Sequence, residues 1–149
     1  MADIVKKMDD VSDFIAKIKS PDTPTRYGAQ KTAGPMSAAA IAPLSDLMTE
    51  ADKPTAKAAK GALDNIAHYS ARPGAKADAR AVTLELLKVA QSPRPVPARA
   101  HALHLLGFTA DGRAAPALTK LLAVPDVHEE ARMALQRLPG SASANALRK

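Results

Sequence analysis

Cysteine is absent from the 149 residues, which excludes disulfides, thiolate nucleophiles and Cys-ligated zinc or iron–sulfur centres together. Tryptophan is absent too, and Phe and Tyr number two each. So little aromatic volume can neither fill a wide interior nor make a platform on which nucleobases stack. Gly-rich phosphate loops of the Walker or dinucleotide type are missing. No run of about 18 apolar residues is free of charge, as a membrane span requires. The stretch Met1-Ala-Asp-Ile-Val-Lys-Lys-Met-Asp-Asp10 lacks the apolar h-region of a secretory signal. The expectation is a cytoplasmic chain with no membrane partner. Long Val/Ile/Thr alternation is also missing, so strands are not expected.

What is abundant is alanine. Apolar residues make up 46% of the chain, and 33 of them are Ala. Such a core is built by helices approaching closely over small side chains, so the fold is expected to be all-α. The 12 prolines fall mostly between periodic segments and read as punctuation. Net charge is +6, unevenly placed: residues 1–52 carry 6 Lys/Arg against 8 Asp/Glu, whereas residues 53–149 carry 15 against 7. A basic C-terminal two-thirds permits an acidic protein surface or a nucleic acid as partner.

Helical spacing of Val11, Phe14, Ile15 and Ile18 predicts a first helix over 3–19, with Asp3 as a possible cap and Ser20-Pro-Asp-Thr-Pro24 as its end. A short helix from Arg26 to Ala33 closes at Gly34-Pro35, and another from Ser37 to Thr49 carries Ile41, Leu44, Leu47 and Met48. A helix over 55–69 places Ala59, Ala62, Leu63 and Ile66 inward. Its partner over 76–91, dense in Val82, Leu84, Leu86, Leu87 and Val89, reads as buried between neighbours. Gln91-Ser-Pro-Arg-Pro-Val-Pro97 is an extended link. Arg99 to Gly107 then forms a helix with Ala102, Leu103 and Leu106 on one face, stopped by Gly107. Asp111 caps the next helix, striped by Leu118, Leu121 and Leu122. A last helix runs from Pro125-Asp126 to Leu138 and ends at Pro139-Gly140, leaving a tail from Ser141 to Lys149.

These hairpins repeat. Ala29, Ala62, Ala102 and Ala134 occupy one register position, followed four residues later by Ala33, Ile66, Leu106 and Leu138. The steps of 33, 40 and 32 residues have the period of stacked helical hairpins. Arg26 also aligns with Arg99, and Leu44-x-x-Leu47-Met48 aligns with Leu118-x-x-Leu121-Leu122. The pattern Arg-x-x-Ala-x-x-x-Leu-Gly, a turn with Asp-Gly, then Ala-Ala-Pro-Ala-Leu-x-x-Leu-Leu resembles HEAT repeats, particularly the short bacterial type also found in phycobilisome lyases. The likeness covers most of residues 22–140 and is fullest at 99–138. It implies a single domain over 1–149, a right-handed α-solenoid of about four hairpins. The repeats fall near 22–52, 53–91, 95–124 and 125–149, with residues 1–20 as an N-terminal capping helix.

HEAT-type folds that carry chemistry supply a comparison. Deoxyhypusine hydroxylases hold two irons on several His-Glu pairs, whereas this chain has one pair, His128-Glu129. HEAT-like alkylpurine DNA glycosylases rely on a cleft lined with aromatic side chains and holding a carboxylate, whereas here Trp is absent and Tyr27, Tyr69, Phe14 and Phe108 are scattered at helix ends or along the core stripe. His101 and His104 are three apart on a helix that bears no Asp or Glu, on a face opposite Leu103 and Leu106; they read as outward-facing residues and not as metal ligands. No catalytic residue, cofactor or metal is therefore expected. The expected function is a non-catalytic interaction module holding a protein or peptide on its concave face, as a monomer or weak homodimer. The alternatives are a nucleic-acid-binding solenoid and a metal-dependent enzyme.

In a HEAT solenoid the second helices line the inner surface. Arg113 and Lys120, two helical turns apart, would stand on the third of these, while Asp46 and Glu50 stand on the first. The expected partner-binding set is thus Asp46, Glu50, Arg113 and Lys120, a face running from acidic to basic. If Ala102 marks a close helix crossing, Ala102→Leu should lower stability by about 1–3 kcal/mol through overpacking. A circular dichroism melt indistinguishable from that of the parent chain would contradict the register.

Overall fold

The computed structural model describes residues 2–36, 38–50 and 52–139, with side chains described at 10–36, 38–49 and 52–139. Helix α1 begins at Ala2, so Asp3 lies inside its first turn and not at the cap position before it; a helix start at Ser37, the stop at Gly140 and the tail from Ser141 to Lys149 lie outside what is described. Among the described residues there are eight α-helices and no strand. They are α1 (Ala2–Ile18), α2 (Thr23–Lys31), α3 (Ile41–Glu50), α4 (Lys53–Ser70), α5 (Lys76–Ala90), α6 (Val96–Thr109), α7 (Ala115–Leu121) and α8 (His128–Arg137). Single 3₁₀ turns, Ala38–Ala40 and Gly112–Ala114, lead into α3 and α7. Among these residues no helix is long and apolar enough to cross a membrane.

Most prolines separate helices, as Pro21, Pro35, Pro73, Pro93, Pro95, Pro125 and Pro139 do, but others open them. Pro24, Pro54, Pro97 and Pro116 sit in the first turns of α2, α4, α6 and α7, where a missing N–H costs nothing and the fixed φ suits the helix. The link before α6 is accordingly shorter than expected, because Pro97 lies inside the helix. Asp22 caps α2 by accepting the Thr25 N–H at 3.0 Å. Gly74, with φ +83°, supplies the left-handed residue in the turn between α4 and α5.

Helices α2, α4, α6 and α8 pack in succession, each on the next. The intervening helices pack most closely on the helix that follows them, α3 on α4, α5 on α6 and α7 on α8. Helix α1 lies on α2, burying Phe14 and Ile18. The repeated positions are core positions: Ala62, Ala102 and Ala134 are buried, Ala29 is half-buried, and Ala33, Ile66, Leu106 and Leu138 are all buried. One position later come the buried Leu63, Leu103 and Leu135. The aligned arginines share a task. Arg26 donates to the Ser20 carbonyl at 2.9 Å and Arg99 to the Arg94 carbonyl at 2.8 Å, each tying the incoming chain to the helix it enters.

Two expectations need correction. Gly107 does not stop α6, which continues to Thr109. The absence of a Cβ there admits the Arg137 side chain of α8, just as Gly61 in α4 admits Gln30 of α2. Helix α5 is not enclosed on all sides either: Val82, Leu86 and Val89 are buried, but Leu84 is 45% exposed.

A core continuous from Phe14 to Leu138 should unfold as one unit. Leu44→Ala near one end and Leu118→Ala near the other are each expected to cost about 2–5 kcal/mol and to lower the same single thermal transition. Two separable transitions would show that the ends fold independently.

Candidate interaction surface

The four residues expected to bind a partner are not presented as one set of free charges. Asp46 on α3 is ion-paired with Arg94 of the α5–α6 link at 2.8 Å. Arg113 stands not on α7 but on the 3₁₀ turn before it, so the two-turn stacking over Lys120 does not form. Its guanidinium turns back on Asp111, 2.9 Å away. Hydrogen bonds from the Arg113 side chain, and then from its backbone N–H, hold the Asp111 carboxyl below the usual carboxylate range. Lys120 is exposed, with no ion pair among the described residues. Glu50 ends α3, and its side chain lies outside those described.

A different set converges on an exposed side shared by α2, α4, α6 and α8. In the groove between α4 and α6, lined by Met48, Lys60, Asp64, Ala100, His101 and His104, Asp64 meets the Nε2 of His101 at 2.7 Å. The His101 side chain is only 11% exposed, so it does not stand outward in solvent as its own helix suggested. His101 stacks on His104 with centroids 6.0 Å apart, and His104 meets the edge of Phe108 at 5.5 Å. From α4, His68 packs on the same Phe108 ring at 4.8 Å. Arg137 of α8 covers that ring from a third helix, 5.5 Å from its centroid. Three of the chain's four histidines and one of its two phenylalanines thus form a continuous track.

The track runs on toward α2. Asn65 donates to the Gln30 carbonyl at 2.7 Å, and a groove of about 410 Å³ between α2 and α4 is lined by Arg26, Tyr27, Lys53 and Lys57. Tyr27 is 59% exposed there and Phe108 is 43% exposed, although large apolar rings are usually covered. Lys53, Lys57 and Lys60 lie along the exposed side of α4 with no ion pair among the described residues. Chemically, this surface offers rings for contact and cations for anions.

It does not assemble a metal site: among the described residues no three His, Asp or Glu side chains are grouped to hold an ion. His128, set aside on sequence grounds, lies against the Pro125 carbonyl at 2.9 Å, and its neighbour Glu129 pairs with Arg132.

Partial burial, followed by the nearby charges of His101 and Arg137, pushes the His104 imidazole below the usual histidine range. The unfolded chain therefore takes up a proton at His104 before the folded chain does. Stability is expected to fall as pH drops through about 6.5, the unperturbed value, toward the folded-state value. His104→Gln should flatten the melting temperature against pH over that window. An unchanged slope would mean that His104 titrates alike in both states.

No protein-family model matches the chain, and a search of curated proteins returns no match. Solved structures do match, among them the crystal structure of an engineered protein, 24% identical, covering 92% of this chain and 68% of that one with a TM-score of 0.44.

Proposed function

We propose that the chain is a non-catalytic helical-repeat module of HEAT type, a right-handed solenoid of about four hairpins, that holds an acidic segment of a protein partner. The reading rests on one observation: exposed rings and lysines with no ion pair among the described residues share one side of α2, α4, α6 and α8, with Tyr27, Lys53 and Lys57 at one end, Lys60 in the groove beside His104, and Phe108 and Arg137 at the other end. Aromatic side chains anchor an interface because they bring large contact area at little entropy cost, and the surrounding cations choose the sign of the partner.

This places the interface on the α2–α4–α6–α8 side and not on the second-helix face, where Asp46 and Arg113 already have partners within the chain. An array of helices packed on one another changes little on binding, so the ordering cost falls mainly on the bound segment. A repeat architecture is supported by the buried register of Ala62, Ala102 and Ala134 and by the alternating packing of the helices.

Acidic peptides and nucleic acid both answer to lysines, and salt separates them. A labelled peptide of alternating Glu and Leu should bind at about 0.15 M salt, and the double variant Lys57→Glu, Lys60→Glu should weaken it about tenfold with the melting temperature unchanged. DNA or RNA binding is expected to vanish near that salt concentration. Tight nucleic-acid binding that persists there, with a steep log–log salt slope, would overturn the choice of a protein partner.

A further inference from the structure

Separate from that track, a cleft of about 340 Å³ opens between the first two turns of α5 and the connection from α6 to α7. Lys76, Arg80 and Thr83 stand on one face of α5, at spacings of four and three residues, and Thr109, Asp111 and Arg113 face them. At its floor the Thr83 hydroxyl donates to the Thr109 hydroxyl oxygen at 3.0 Å, with Thr83 only 4% and Thr109 only 9% exposed.

Two hydroxyls carry two hydrogens, and the bond between them uses one. The Thr109 hydrogen has no protein acceptor among the described residues; were the bond reversed, the Thr83 hydrogen would be the one left over. A donor of this kind, at the floor of an open cleft, takes its acceptor from outside the chain, as water or as the oxygen of a ligand that displaces it. Above it the lining carries three cations and one carboxylate, and that carboxylate, Asp111, is already engaged by Arg113. Lys76 and Arg80 have no ion pair among the described residues. A donor without an acceptor beneath unneutralised cations is complementary to an oxygen-bearing anion, whose hydrogen bonds gain from the ligand's charge.

We propose that this cleft is a binding site for an oxyanion, a phosphate or carboxylate group, with the Thr109 hydroxyl donating to one oxygen and Lys76 and Arg80 balancing the charge. Arg113 stays with Asp111 and narrows the rim. The anion arrives either as a free ion or on a side chain of a larger molecule; the chemistry recognised is the same, and the probes below distinguish the sources.

The test is amide NMR on the full chain at constant ionic strength, titrated with inorganic phosphate, with acetate and with a phosphoserine peptide. Saturable shifts are expected at Thr83, Thr109, Asp111 and Arg113, with a dissociation constant of about 1–10 mM for the free ion. Arg80→Gln should raise that constant about fivefold. Thr109→Val should weaken binding while Thr109→Ser restores it. A peptide bound about tenfold more tightly than phosphate identifies a side-chain-borne anion, and equal affinity identifies a free one. Arg80 is exposed, so its variant remains decisive even if Thr109→Val unfolds the chain. Shifts that grow linearly without saturation, or a constant unaltered by Arg80→Gln, would overturn the site.

Discussion

Close approach of α2, α4, α6 and α8 over small side chains is the constraint on which the rest of this molecule depends. Ala62, Ala102 and Ala134 are buried at the repeated position, and a larger side chain there would force the axes apart. Leu63, Leu103 and Leu135 fill the space beside them. The track of rings follows from the same packing. Asp64 and His101 meet because α4 packs directly on α6, and Gly61 and Gly107 leave room for the Gln30 and Arg137 side chains of neighbouring helices where a Cβ would stand.

Polar ties set the geometry of this stack more than its stability. Arg26 and Arg99 hold the chain where it enters α2 and α6, and Arg94 fastens the α5–α6 link to Asp46 of α3. Half-exposed ion pairs contribute about 0–1 kcal/mol each, much less than the burial of a single leucine. Their role is to fix where each connection runs. The same connections define both candidate surfaces: one keeps the α4–α6 groove beside Met48 and Pro97, and another sets Asp111 and Arg113 over the floor of the α5 cleft.

Most of the architecture was legible in the sequence because it is periodic. Ala and Leu at helical spacing marked the helices, and the recurrence at Ala29, Ala62, Ala102 and Ala134 marked positions that are buried or half-buried. The surface was harder to read because it is made between helices. His101 looked solvent-facing when only its own helix was considered; its carboxylate partner, Asp64, comes from the preceding helix of the same layer. Yet the register held the clue. His68 and Phe108 each lie six residues beyond the repeated alanine, and they meet. The stacking expected of Arg113 over Lys120 fails for a local reason: a 3₁₀ turn breaks the helical spacing between them, and Asp111 caps that turn from a position where it also captures the arginine.

The placement of α4 against α6 carries both the layer and the track, and ring-to-ring nuclear Overhauser effects across that boundary measure it most directly. His68 and Phe108, separated by 40 positions in sequence, have centroids 4.8 Å apart, so cross-peaks between their ring protons should appear alongside those linking His104 to Phe108. Finding both sets is the expected result. His104–Phe108 peaks without any from His68, in a chain whose helical signals are intact, would contradict the stacked arrangement.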